Sequence, residues 1–422
     1  MKIAILGRGI SGNAAARLAE ASGSEYHIFC DGDETDSYRG FDLIVASPGF
    51  AADNRLRREA AQSGVPLISE LEFGAINFTG RYLAITGTNG KTTTTELTAH
   101  LLNALGVDAV PAGNIGAAVS DLAAEVLISG KTPPVAVIEV SSFQLELTEK
   151  FAPAAAVVLN LASDHLNRYR GSMAEYGAVK GRIFTNTPPE GKIIGESLRN
   201  SETVKLLNAG NKFANALNVA ADQDTIEFAR RTVCRFSESL LKGAHNLENL
   251  IAALELIRCF CGDDALFSNE IVAAVNSFRP GAHRMETILE VDGVTFINDS
   301  KATNPHAVIA ALRAVGINHD VHLLLGGLDK DMNFEELSVG AKYIKKAYLL
   351  GECRHKINDA LRHHFPCDIF DTFDEAVLAA ATAAKKGEIV MLSPACASMD
   401  MFKNYQERGE RFRSAVLNFA RA

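Results

Sequence analysis

The sequence predicts an α/β protein of three domains built on largely parallel sheets. Short apolar runs of strand length alternate with amphipathic helical stretches along the chain, the order that lays helices over parallel strands. Glycine-rich turns follow two of those runs and open helices, at 7–12 and 87–93. Turn-like breaks at Asn77-Phe78-Thr79-Gly80 and Phe278-Arg279-Pro280-Gly281 divide the 422 residues into 1–78, 79–280 and 281–422.

In the first segment, runs 3–6, 26–30 and 43–46 read as buried strands, with a helix over 13–21. In the second, runs 82–86, 135–140 and 155–161 read the same way. Its helix over 93–105 places Leu97, Leu101, Leu102 and Leu105 on one side, at i, i+4, i+5 and i+8. Residues 188–235 show weak periodicity, and a small antiparallel element is expected there. After the second break, strands are expected at 294–298, 322–325, 346–350 and 389–392, with helices between.

Hydrophobic residues make up 47% and charged residues 22%, which excludes a mostly disordered chain. The 42 Lys and Arg against 51 Asp and Glu give a net charge of −9. That argues against a nucleic-acid coat but leaves room for a local cationic site. The seven cysteines are scattered, odd in number and without a CxxC spacing, so neither a disulfide framework nor a four-cysteine zinc site is expected. Cys259-Phe260-Cys261 is expected on an apolar helix face. No apolar run is long enough to cross a membrane, and the run at 3–6 is too short for a signal peptide. A cytoplasmic, reducing setting is expected.

The strongest local signal is Gly87-Thr88-Asn89-Gly90-Lys91-Thr92-Thr93, between a strand and a helix. Such a turn points backbone N–H groups at phosphate oxygens, and the helix N-terminus adds positive potential. Lys91 would reach the β- and γ-phosphates, and the Thr92 hydroxyl could ligate Mg²⁺. Glu139 closes the apolar run that starts at Val135, at a strand end suited to the same Mg²⁺. Gly7-Arg8-Gly9-Ile10-Ser11-Gly12 has the GxGxxG spacing, with Asp31 after the next strand. NAD, or more generally a nucleotide or nucleotide-sugar phosphate, fits that loop.

Asp164-His165 reads by itself as a hydrogen-bonded pair, and His165 is a poor Mg²⁺ ligand on chemistry alone. Lys180, in the helical stretch 173–184, reads by itself as a solvated surface lysine. Three polar loops follow strands in the last third: Asn298–Asn304 as NDSKATN, 326–330 as GGLDK and 393–398 as SPACAS. Together they mark a ligand crevice at strand ends.

The combination resembles the Mur ligase family of ATP-dependent amide-forming enzymes. The resemblance rests on GTNGKTTT, GNIG at 113–116, EVSSFQLE at 139–146, SDHLNRY at 163–169 and Lys180. It continues through GAHNLENLIAA at 243–253, His283-Arg284, NDSKATN and SPACASMDMFKNYQERG at 393–409. It covers nearly the whole chain in order. It implies a Rossmann-like domain at 1–78 for a UDP-sugar, a central P-loop ATPase-like domain at 79–280 and a Rossmann-like amino-acid domain at 281–422.

Residue by residue, the resemblance implies that Ile10 and Ser11 contact the UDP part and Asn114 the substrate. Gly87, Thr88, Asn89, Gly90, Lys91, Thr92 and Thr93 would hold ATP phosphate, and Asn249, Arg284 and Asp299 the rest of the nucleotide. Thr92, Glu139, His165 and a carbamylated Lys180 would hold Mg²⁺. Lys91, Lys180 and His165 form the implied catalytic set. Lys301, Thr303, Lys330, Ser398 and Tyr405 would take the amino acid. The implied reaction joins D-glutamate to UDP-N-acetylmuramoyl-L-alanine through an acyl phosphate, in peptidoglycan precursor synthesis. A monomer with no nucleic-acid or membrane partner is expected. The alternatives are another amino acid in a sister ligase, folylpolyglutamate synthesis, an NAD-dependent oxidoreductase using Gly7–Gly12, or a non-catalytic nucleotide-binding module.

Overall fold

The computed structural model describes residues 1–33, 38–199, 201–210, 212–315 and 320–421. It forms two compact units. The first contains Met1–Leu161, Ser172–Leu241 and Leu247–Phe278; the second contains Ala162–Gly171, Lys242–Asn246 and Arg279–Ala422.

The first unit holds two parallel sheets. One runs β2 (Glu25–Phe29), β1 (Lys2–Leu6), β3 (Leu43–Ala46), β4 (Leu67–Ser69). The other runs β6 (Ala109–Gly113), β7 (Val135–Glu139), β5 (Tyr82–Thr86), β8 (Ala155–Val158), β9 (Lys192–Ile194). Alternation along β5 explains its burial on both faces: Leu83 and Ile85 enter one apolar cluster and Ala84 the opposite one. The cluster around Ala84 also takes Ile3 and Ile5 of β1, so the two sheets of this unit share a core. The weakly periodic region contains β9 and an antiparallel sheet, β10 (Leu217–Val219), β11 (Thr225–Phe228), β12 (Arg231–Arg235), as expected.

The second unit is built on one sheet, in the order β13 (Glu286–Val291), β14 (Val294–Asn298), β18 (Ile389–Leu392), β15 (Val321–Gly326), β16 (Ile344–Leu350), β17 (Cys367–Ile369). Only the β13–β14 pair is antiparallel among these.

Helices Ile10–Ala21 and Lys91–Ala104 begin two to three residues earlier than the apolar pattern suggested. That places Ile10, Ser11, Lys91 and Thr92 in first helical turns, beside the unpaired N–H groups of a helix start. Cys259 is half-buried on the helix Ala244–Cys261, but Cys261 is exposed, so the apolar-face expectation fails for Cys261. All seven cysteines are free thiols. Among the described residues, no helix is long and apolar enough to cross a membrane.

Candidate active site

Four neighbouring strands of the central sheet end at one place. Glu139, the last residue of β7, lies in register with Ile85 on β5 and Gly113 on β6, and Thr86 lies opposite Val158 on β8. The glycine loop, Asn114, Glu139 and the residues after β8 therefore emerge side by side at the carboxyl edge, where open α/β sheets bind ligands.

The glycine loop turns into its helix at Gly90, whose φ of +84° suits a residue without Cβ. Lys91 Nζ donates to the carbonyls of Gly87 and Thr88, both at 2.9 Å. Thr92 Oγ1 donates to Glu139 Oε2 at 2.5 Å, and Asn114 Nδ2 donates to Glu139 Oε1 at 2.8 Å. The Glu139 carboxylate is buried, with each oxygen holding one donor and lone pairs to spare. Thr93 is buried in the same helical turn, and Asn249 lies buried against Gly90.

Sequence reading missed Asn160, which clamps the loop. Its Oδ1 accepts from Asn89 N–H at 2.9 Å, its Nδ2 donates to Asn89 O at 3.1 Å, and its carbonyl accepts from Thr88 N–H at 3.1 Å. A polar residue inside the apolar run 155–161 was the available signal. Tyr176, also missed, places its hydroxyl 3.2 Å from Thr88 Oγ1. Lys180 corrects the surface-lysine reading. It is 1% exposed and donates to Gly87 O at 2.8 Å and to Thr86 Oγ1 at 3.4 Å. One helical turn before it, Tyr176 turns its ring toward the ammonium, 4.8 Å away. Neighbours one turn apart on a buried helix face are invisible to a charge-based surface rule.

In the N-terminal sheet, Gly7, Arg8, Gly9, Ile10, Ser11 and Asp31 line a cleft of about 400 Å³. A Cβ at Gly12 would fall 1.8 Å from Gly7 O, so the tight turn demands glycine there. Ile10 is 80% exposed at the cleft. Asp31 is engaged within the protein, accepting from Asn54 Nδ2 at 2.9 Å.

In the second unit the order β14–β18–β15 makes the three polar loops neighbours. Asp299 N–H donates to Leu392 O at 2.8 Å, Ala395 N–H to Ala302 O at 3.0 Å, and Leu328 N–H to Ala397 O at 2.9 Å. Asp299 is buried, accepting from Ser393 Oγ at 2.9 Å and Met285 N–H at 3.2 Å. Burial pushes its carboxyl up to about 7, against the lowering influence of those donors and of nearby Arg284. Lys301 Nζ sits 4.0 Å from the Tyr405 ring centroid, and Ser398 is buried in the loop that follows β18. Thr303 is half-buried between Ala302 and Asn304.

Asp164 pairs with Lys330 at 2.9 Å and accepts from Asn304 Nδ2 at 3.4 Å, whereas His165 Nε2 stands 3.6 Å away. Asp164 thus makes an ion pair with Lys330, a strong partner for a buried carboxylate, while His165 stands beside it. His165 adopts φ +53° and, with Asp164 and Lys330, lines a pocket of about 90 Å³. The structure therefore gathers Lys91, Thr92, Asn114, Glu139, Lys180 and Asn249 within the first unit. His165, Arg284, Asp299, Lys301, Thr303, Lys330, Ser398 and Tyr405 all belong to the second.

Among the described residues, no three His, Cys, Asp or Glu side chains form a cage for a metal ion. The hydroxyl of Thr92 and the carboxylate of Glu139 are hard oxygen donors that fit Mg²⁺, which is commonly held by one or two protein oxygens plus phosphate oxygens.

Residues 85–257 match the family model described as the Mur ligase middle domain, and residues 283–396 match the Mur ligase glutamate ligase domain. A UDP-N-acetylmuramoylalanine–D-glutamate ligase of Pelotomaculum thermopropionicum is 36% identical, covering 99% of this chain and 97% of that protein. The protein of the same name from Protochlamydia amoebophila is 34% identical, over 98% of this chain and 97% of its own. Among solved structures, MurF ligase of Thermotoga maritima in complex with ADP superposes with a TM-score of 0.61 at 18% identity, covering 99% of this chain and 95% of its own. The UDP-N-acetylmuramate-alanine ligase MurC of the same organism gives 0.61 at 18% identity, over 99% and 100%. With both domain models matched in order and relatives aligned from end to end, this chain belongs to the Mur ligase family.

Proposed function

We propose that this chain joins D-glutamate to UDP-N-acetylmuramoyl-L-alanine at the cost of ATP, in cytoplasmic peptidoglycan precursor synthesis. The observation that carries the choice of amino acid is the end-to-end alignment with relatives bearing the D-glutamate ligase name. The convergence of Thr92 and Asn114 on Glu139 beside a glycine loop supports the ATP half.

A carboxylate resists attack by an amine because its leaving group would be oxide. Phosphorylation removes that obstacle. The alanyl carboxylate attacks the γ-phosphorus of ATP, ADP departs, and an acyl phosphate forms. The D-glutamate amine then attacks the acyl carbon, an amide forms, a proton is released and inorganic phosphate leaves. Positioning and charge neutralisation supply most of the first step.

In this reading the helix start at Lys91 presents its N–H groups to phosphate, and Lys91 swings from the Gly87 and Thr88 carbonyls onto the β- and γ-oxygens. Thr92, Glu139, His165 and a carbamate on Lys180 would be the ligands of Mg²⁺, and a bound Mg²⁺ would neutralise charge building on the phosphate oxygens. The burial of Lys180 meets the desolvation a carbamate requires. Asn249, Arg284 and Asp299 hold the purine, phosphate and ribose parts of ATP. The cleft at Gly7–Ser11 takes the UDP part, through Ile10 and Ser11, and Asn114 meets the substrate. Lys301, Thr303, Lys330, Ser398 and Tyr405 receive D-glutamate. The proposed domains are 1–78 for the UDP-sugar, 79–280 for ATP and 281–422 for the amino acid, and the proposed state is a monomer.

An isotope experiment tests the reaction. With ¹⁸O in the alanyl carboxylate, an acyl phosphate requires one labelled oxygen in the released phosphate for each amide formed. Unlabelled phosphate alongside the amide would exclude this route.

A further inference from the structure

Arg408 is 0% exposed, on the first turns of the helix Tyr405–Phe419. Its four hydrogen bonds all end on neutral oxygens. Nε donates to Ser300 Oγ at 3.0 Å and Nη2 to Ser300 O at 2.8 Å. Nη1 donates to the carbonyls of Cys396 at 3.1 Å and Ala397 at 3.2 Å. Ser300 Oγ in turn donates to Tyr405 O at 2.8 Å. One planar fork therefore ties the loop carrying Lys301 and Thr303, the loop carrying Ser398 and the helix start at Tyr405.

A buried arginine is ordinarily paired with an acid. Here no carboxylate hydrogen-bonds to it among the described residues, and Asp400 acts on it only at longer range. Burial pulls the guanidinium down to about 10, so it remains a cation at neutral pH. A charge left without a matching carboxylate in the protein suits a site whose ligand brings the carboxylate. The two peptides whose carbonyls Arg408 holds carry the N–H groups of Ala397 and Ser398 on their other side. A charged donor on a carbonyl polarises that peptide and strengthens its N–H.

We infer that Arg408 is a positioning residue for the amino-acid site. It fixes Ser300–Thr303 against Cys396–Ser398 and sets a buried positive charge behind the groups that receive the amino acid's carboxylate. The inference rests on the proposed reading of those loops as the D-glutamate end.

The test compares Arg408→Lys, Arg408→Met and Ser300→Ala with the wild type. KM for ATP, UDP-N-acetylmuramoyl-L-alanine and the amino acid is measured for each, with kcat scaled to the folded fraction from thermal melts. Lysine keeps the charge but not the four-bond fork. Arg408→Lys is expected to raise the amino-acid KM at least tenfold while the other two stay within about twofold, and Arg408→Met to raise it further. Ser300→Ala loses one bond of the fork and the link to Tyr405, and should raise the same KM about threefold. A purely structural staple would lower the folded fraction and leave KM unchanged, which would overturn the inference, as would equal changes in all three KM values. Should both Arg408 variants fail to fold, Ser300→Ala decides by the same criterion. The amino acid titrated is whichever the wild type accepts. Failure of the D-glutamate reading then shows in the wild type, and failure of the inference in the variants.

Discussion

Replacing Gly90 with alanine strikes the glycine loop at its tightest point. The residue has φ +84°, and a Cβ built there would lie 2.2 Å from Asn249 Oδ1. An alanine held in the left-handed region costs roughly 1–2 kcal/mol relative to glycine. Asn249 or the loop must also give way by about 0.8 Å to restore a tolerable 3.0 Å contact. Displacements of about 1 Å in a phosphoryl-transfer site cost roughly a hundredfold in rate. Gly90→Ala should therefore lower kcat/KM for ATP about a hundredfold and leave the KM for D-glutamate within a few-fold of the wild type. Adding Asn249→Ala removes the clash but not the backbone strain, so the double variant should be less impaired than the two single effects predict together. Steady-state kinetics of the four proteins reads this directly. Wild-type kcat/KM for ATP in Gly90→Ala, or strictly additive effects, would refute the packing of Asn249 on the loop.

Four further outcomes follow from the same geometry. Lys180→Ala should lose activity and regain part of it with a short carboxylic acid that replaces a carbamate; wild-type activity in the variant would sink the carbamate. Ser398→Ala should raise the KM for D-glutamate and spare that for ATP. Lys330→Ala should do so more severely because a charge-assisted contact is lost, and equal shifts in all three KM values would contradict a dedicated glutamate pocket. Asp299 titrates at about 7 in the folded chain against about 3.9 in an unfolded one. Between those values the folded state holds a proton that the unfolded state has lost, so this group lowers stability as pH rises from about 4 to 7 and no further above that. Asp299→Asn should flatten that part of the profile in thermal melts between pH 5 and 8, and parallel profiles for variant and wild type would show that the buried carboxyl is not the cause.

The sequence made the centres of the sheets legible and most of their margins obscure, with the edge strand β2 the exception. β1, β3, β5, β7, β8, β14, β15, β16 and β18 are apolar runs flanked by turns. β4, β6, β9, β13 and β17, which escaped the pattern, all lie at sheet edges. An edge strand buries less and tolerates polar residues or proline, as β6 does with Pro111. The glycine loop and the three polar loops could be read because their residue types have few other uses in that density. Asn160, Tyr176 and Arg408 could not, because each acts through a tertiary contact with a distant segment. Lys180 was misjudged on its charge alone, since nothing local shows that its helix faces the core.

The most direct measurement is phosphate release by the wild-type protein with ATP, Mg²⁺ and UDP-N-acetylmuramoyl-L-alanine, supplied in turn with D-glutamate, L-glutamate, glycine, L-alanine, L-lysine and diaminopimelate. A D-glutamate ligase must respond to D-glutamate with stoichiometric release of ADP and phosphate, with L-glutamate and the others far behind. Turnover driven by another amino acid, or none with D-glutamate, would contradict that function.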